Sequence, residues 1–221
     1  MKFGGVILQK KVLNITNGEY FNEYLLSETK DVCIPFCEVI MDGDVSMDIF
    51  SEDFIRLRSK VLNINEEQYK DKMYVKNCLN KNTYSELNMW FGKDTFCQMN
   101  LLALLKYLEQ IDYHGKIILN YIDDETFKTV ESNINVTLGI YSNIYKQVLI
   151  LKQMPNKTGV LDENAIKLYF DYHSQNGKLA KIVKLNPDKS KSDLICFLLA
   201  ESKDYGLSDL QAERLIELNR K

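Results

Sequence analysis

The segment Lys116-Ile117-Ile118-Leu119-Asn120-Tyr121-Ile122 is apolar at odd and even positions alike. Side chains of a strand alternate between its two faces, so a run of this kind buries both faces at once. That is the condition of a central strand in a helix-covered sheet. The chain before it has the matching rhythm. Short β-like runs at residues 11–16, 31–34 and 86–91 alternate with helical spacing at 19–26, 51–57, 66–79 and 96–110. Pro35 is expected to end the second run, because proline cannot donate to a ladder. Asn17-Gly18, Asp42-Gly43-Asp44 and Gly92-Lys93-Asp94 supply turns. The helix at 96–110 is the clearest, with Phe96, Leu101, Leu104, Leu105 and Leu108 at three- and four-residue spacings. Residues 141–151 form a further helix. The pattern predicts an α/β fold, a Rossmann-like and mostly parallel sheet of about four strands with flanking helices.

Past Met154-Pro155-Asn156-Lys157-Thr158-Gly159 the strand signals stop. Helical spacing covers 162–174, 178–185, 190–203 and 208–218, with turns at Gly177, Asn186-Pro187 and Gly206. The expected division is a sheet domain at 1–154 and an all-helical region at 155–221. Phe170, Leu179, Ile182, Leu194, Phe197, Leu198 and Leu215 are too many apolar groups for a free tail, so this region is expected to pack on the sheet domain.

The 221 residues are 45% apolar and 27% charged, which excludes disorder as the default state. A net charge of −3 argues against a nucleic-acid coat. Val6–Leu8 is too short for a signal-peptide core, and no stretch approaches the ~20 apolar residues of a membrane helix. A cytoplasmic protein with no membrane partner is expected. Five cysteines, at 33, 37, 78, 97 and 196, fit reduced thiols, most of them buried and structural. None is arranged at zinc-site spacings, and no metal ligands are assigned.

Glycine-rich phosphate loops, a Gly-x-Ser-x-Gly elbow and a His-Glu-x-x-His motif are all missing. The two histidines, His114 in a turn and His173 near a helix end, leave little room for a triad. Catalytic residues and cofactor stay open.

Ligands of open parallel sheets bind outside the carboxyl ends of the strands. The first strand delivers Asn17, Gly18 and Glu19 there, and the second delivers Glu38. The third delivers Trp90, Gly92, Lys93 and Asp94, with Gln98 in the first turn of the next helix; the fourth delivers Asp123 and Asp124. Asn17, Gly18, Glu19, Glu38, Trp90, Gly92, Asp94, Gln98 and Asp123 are therefore the candidate ligand-binding residues. Asn17, Glu19, Glu38, Asp94 and Gln98 are expected to share one cleft. Asn17 and Asp94 are also good helix caps, and Asp123-Asp124 would serve equally as a solvated turn. Glu19 and Asp94 would repel the anion that a helix N-terminus attracts. A polar neutral or cationic ligand, or a divalent metal held by carboxylates, matches these ends better than a phosphate.

Asn14-Ile15-Thr16-Asn17-Gly18-Glu19, Ile34-Pro35-Phe36-Cys37-Glu38, Phe54-Ile55-Arg56-Leu57-Arg58 and the stretch from Trp90-Phe91-Gly92-Lys93-Asp94 to Leu102 together resemble a bacterial family, domain of unknown function 1835. The likeness covers about residues 12–150, and the tryptophan–turn–helix stretch is its most specific part. Members carry a Gly-Asp-Ser-like turn after the first strand, where this chain reads Gly18-Glu19-Tyr20. The resemblance implies the fold and a bacterial cytosol. It transfers no mechanism.

Three functions remain open. The first is a non-catalytic binding or regulatory domain, holding a small polar ligand in the α/β part and a protein partner on the helical tail. The second is a carboxylate-based hydrolase or transferase, metal-assisted or not, using Glu19, Glu38 and Asp94. The third is a DNA-binding regulator with a helix-turn-helix at 189–218, which Asp209, Glu213 and Glu217 oppose by repelling phosphates.

Overall fold

The computed structural model describes residues 11–79 and 83–220, and the Val6–Leu8 run lies outside them. Along the chain come β1 (Val12–Asn17), α1 (Glu19–Glu28), β2 (Val32–Phe36), α2 (Glu52–Leu62), α3 (Glu66–Lys72), α4 (Val75–Leu79), β3 (Glu86–Phe91), α5 (Thr95–Gln110), β4 (Lys116–Ile122) and β5 (Thr129–Asn135). Then follow α6 (Tyr141–Tyr145), a π-helical turn at Lys146–Ile150, α7 (Glu163–Tyr172), α8 (Lys178–Leu185), α9 (Lys191–Glu201), a 3-10 turn at Lys203–Tyr205 and α10 (Asp209–Asn219).

The strands form one five-stranded sheet in the order β2-β1-β3-β4-β5. The first four are parallel, and β5 runs antiparallel along β4. The α/β fold with a helical C-terminal region is thus the one expected, with one more strand. β5 is exposed along nearly its whole length and carries no apolar alternation, so nothing in its residues announces a strand. Pro35 does not end β2. It lies within the strand, paired in register with Thr16. β2 is an edge strand, where a missing N–H faces no neighbour.

Alternation along the strands divides the side chains between two layers. Leu13, Ile15, Ile34, Phe36, Leu87, Met89, Phe91 and Leu119 point into the large core. Cys33 and Ile122 point the other way and meet Phe21 and Leu25 of α1, with Trp90 and Phe127 beside them. α5 is the centre of the molecule: every residue from Cys97 to Leu108 is buried. Such all-round burial needs partners on every side. The sheet supplies one and α6 and α7 supply others. Ile166, Tyr169, Leu179, Val183, Leu194, Leu198 and Leu215 join the same core as the sheet, so the C-terminal helices pack on it without a break.

The predicted helix 66–79 is interrupted at Met73-Tyr74, giving α3 and α4. Met73 turns inward to the core there and its backbone leaves the helical region. The predicted helix at 141–151 is α-helical for one turn only, then widens into the π-helical turn.

Candidate functional site

The strand order reverses between β1 and β3, where a doubly wound sheet opens a crevice at its carboxyl edge; the acidic groups gather one step along that edge, after β3 and β4. Gly18 opens α1 with φ +85, a left-handed conformation that suits glycine. Asp94 opens α5, its Oδ1 accepting from the Cys97 N–H at 2.9 Å. After β4, Asp123 closes its own turn, accepting from the Thr126 N–H at 2.7 Å and the Thr126 hydroxyl at 2.6 Å. Those bonds hold the Asp123 carboxyl below the usual carboxylate range.

Asp124 is directed back over Gly92. The Cys97 thiol donates to Asp124 Oδ2 at 3.5 Å, and Asn17 Nδ2 donates to the same sulfur at 2.8 Å. One ligating atom each from Asp94, Cys97 and Asp124 lies within 4.8 Å of the others. A methyl group on Gly92 would stand 2.2 Å from Asp124 Oδ2, 2.7 Å from Asp94 Oδ2 and 2.9 Å from Cys97 Sγ. Only a residue without a side chain allows the three to converge there.

Loss of water around the Asp124 carboxyl, reinforced by the negative charge of Asp94, pushes its pKa up to about 7. Burial, followed by the same two negative charges, drives the Cys97 thiol well above its ordinary value. At neutral pH the thiol is a hydrogen-bond donor and no nucleophile.

Asp94 and Asp124 line a cleft of about 570 Å3, with the Cys97 thiol in contact with both. Its far wall is built by the C-terminal region: Asp162, Asn164, Lys203, Asp204 and Gly206. Thr95 ties the two walls together, its hydroxyl placed 3.2 Å from both the Ala165 and the Asp204 carbonyl. Gly206 has φ +68, and a methyl group on it would stand 2.1 Å from Asp94 Oδ1. Among the described residues, six carboxylates line the cleft against two lysines. Both lysines are already paired, Lys93 with Glu131 at 3.0 Å and Lys203 with Glu125 at 3.2 Å.

The residues singled out from the sequence divide between places. Asp94 and Asp123 line this cleft, with Gly92 beneath it. Asn17, Gly18, Glu19 and Glu38 line a neighbouring cavity of about 270 Å3 with Cys37 and Lys72. Asn17 links the two, touching Cys97 and accepting from Asn100 Nδ2 at 2.9 Å. Glu38 has a structural role: its carboxylate accepts from Arg58 at 2.8 Å and from the Tyr69 hydroxyl at 2.6 Å, and both charged side chains are fully buried. Gln98 is buried and ties the walls, donating to the Gly92 carbonyl at 2.7 Å and accepting from the Asp162 N–H at 2.9 Å. Trp90 lies on the opposite face, half-buried beside Phe21, with its indole N–H on Asn14 at 3.0 Å. Beside Glu19, burial pushes the Cys37 thiol up to about 11.

Sequence reasoning assigned no site role to Cys97, Asp162, Asp204 or Gly206. The residues of the C-terminal wall carry no local signal, because only the docking of that region brings them over the strand ends. No protein-family model, curated protein or solved structure matches the chain.

Proposed function

We propose that this chain is a ligand-binding domain whose ligand is small, polar and positively charged, held in the cleft over Gly92. One observation carries the reading: Asp94 and Asp124 are pressed together around a buried thiol, and both lysines that line the cleft among the described residues are already paired. Like charges this close repel unless a proton or another cation sits between them. The cleft volume of about 570 Å3 lies in the range of small-molecule sites. A divalent ion or an organic ammonium group supplies the same chemistry. The excess of carboxylates disfavours phosphates, and the three acids of α10 speak against DNA. The kinship with domain of unknown function 1835 and a cytoplasmic location belong to this proposal as well.

Thermal melts at pH 8 with divalent ions in one arm and aliphatic diamines in the other test it. A bound cation at about a hundred times its Kd stabilises by about 2.7 kcal/mol. The Asp124→Asn variant is expected to lose that response. If no cation raises the melting temperature while anions do, the reading is wrong.

The pKa of Asp124 also favours a second reading, a proton-transferring carboxyl in an enzyme, with Asp94 as its charged neighbour. Glu38 is not available for that role, since both of its oxygens are held by Arg58.

A further inference from the structure

A second cavity, of about 550 Å3, opens on the other side of the C-terminal region, where the loop after β2 meets the end of the π-helical turn, α7 and α10. The proposed cation cleft shares no lining residue with it. Lys152 stands in its wall just past the π-helical turn, with φ +53. Among the described residues, three of the six non-glycine residues with positive φ are Asn or Asp, which tolerate that conformation; Lys152, like Phe50 and Phe127, does not belong to that class. Backbone strain of this kind persists only where the surroundings hold it.

The side chain that this backbone directs is unusual in its contacts. Lys152 Nζ donates to the Tyr169 hydroxyl and lies 4.8 Å over the ring of the same tyrosine. Tyr169 is itself buried, and His173 packs edge-on against it at 4.6 Å. No carboxylate lies within ion-pairing distance of Lys152 Nζ among the described residues. Across the cavity Arg214 is already paired with Asp42 at 3.3 Å, and Asp42 also accepts from the Tyr172 hydroxyl at 2.8 Å. Asp44 is the remaining acid in the wall. Lys152 is thus an ammonium on an aromatic floor, facing a metabolite-sized cavity, without a counter-ion in contact.

We propose that this cavity is a reactive-amine site, in which Lys152 Nζ condenses reversibly with the carbonyl carbon of a small polar aldehyde or ketone. The ammonium first releases a proton to water. Its lone pair then forms a bond to the carbonyl carbon, and the π pair of the carbonyl moves to the oxygen. Protonation of that oxygen and its departure as water leave a protonated imine. One ammonium and one carbonyl give one iminium and one water, with no oxidant or reductant required. Two features of the surroundings support the step. Loss of water around Nζ lowers the Lys152 pKa against the opposing charge of Asp44, and desolvation joined by the charge of Lys152 lowers that of His173 against the Met41 carbonyl and Asp42.

The experiment uses the intact protein and pyridoxal as the probe carbonyl. Sub-stoichiometric pyridoxal is added at pH 7, the imine is fixed with borohydride, and the labelled peptides are mapped by mass. Lys146 and Lys157, exposed as Lys152 is and close to it in sequence, are the internal references. Lys152 is expected to take up label severalfold faster than either. Lys152→Arg keeps the cation and is expected to remove that adduct while the reference lysines label as before. Labelling of Lys152 no faster than Lys146 and Lys157 overturns the proposal. Because the wild-type protein carries the readout, a poorly folding variant cannot obscure it. The Asp124→Asn variant should label normally, so failure here and failure of the cation cleft are separate results.

Discussion

Replacing Asp124 by Asn should make the protein more stable at alkaline pH, because the native carboxylate is held where it ionises with difficulty. Its pKa stands at about 7 in the fold against an ordinary 3.8. Between those values the folded chain keeps a proton that the unfolded chain has released, so stability falls as pH rises through the window. Each pH unit is worth about 1.4 kcal/mol, which sets a ceiling of about 4 kcal/mol. Asp124 stands at a solvent-exposed rim, and screening by water reduces the effect to about 1–2 kcal/mol. For a chain of this size that is about 2–8 °C in Tm. Asparagine retains an oxygen for the Cys97 thiol, so little else is lost. The assay is thermal unfolding followed by circular dichroism at pH 4.5 and pH 8, wild type against variant. The gain should be present at pH 8 and shrink at pH 4.5. A variant no more stable than wild type at pH 8, or equally favoured at both pH values, would refute the reasoning.

The other predictions concern the supports of the site. Gly206→Ala places a methyl group 2.1 Å from Asp94 Oδ1 and forces φ +68 on a residue with a β-carbon; a loss of about 2–3 kcal/mol is expected in urea titrations, from the strained backbone and the weakened cap of α5 together. Arg58→Met leaves Glu38 buried without its partner and should lower stability by about 3–5 kcal/mol, whereas an unchanged urea midpoint would show that the pair is dispensable. Asn14→Ala removes the acceptor of the Trp90 indole N–H, so the tryptophan emission should shift and about 1 kcal/mol should be lost; identical spectra would contradict the contact.

Much of the architecture was readable because its signals are local. The all-apolar β4 announces a covered sheet, and α5 carries its own start signal in Asp94. β5 was not readable, since it pairs only at an edge and gains nothing from apolar alternation. The site was half readable. Placing polar residues at the carboxyl ends of parallel strands follows from topology, and Asp94, Gly92 and Asp123 sit where that rule puts them. Glu38 and Gln98 obey the same rule yet serve the scaffold. What distinguishes them is a buried arginine twenty residues away in one case and a backbone N–H in the C-terminal region in the other. Neither partner can be inferred from spacing.

The cleft has a physical consequence for the division at Met154. Asp94 is fixed from below by the helix it caps and from above by Gly206. Thr95, the next residue, bonds to two carbonyls of the C-terminal region, and Gln98 to a third group there. A sheet domain cut free of residues 155–221 would keep Asp124, Cys97 and Gly92. It would lose the wall that confines Asp94 beside Asp124. Without that confinement the two aspartates can separate, and the pKa of Asp124 returns toward an ordinary carboxylate. Local conflict that survives in a fold marks a place where other contacts over-determine it. Here the over-determination comes from the helical region, so the acidic site is a property of the docked whole.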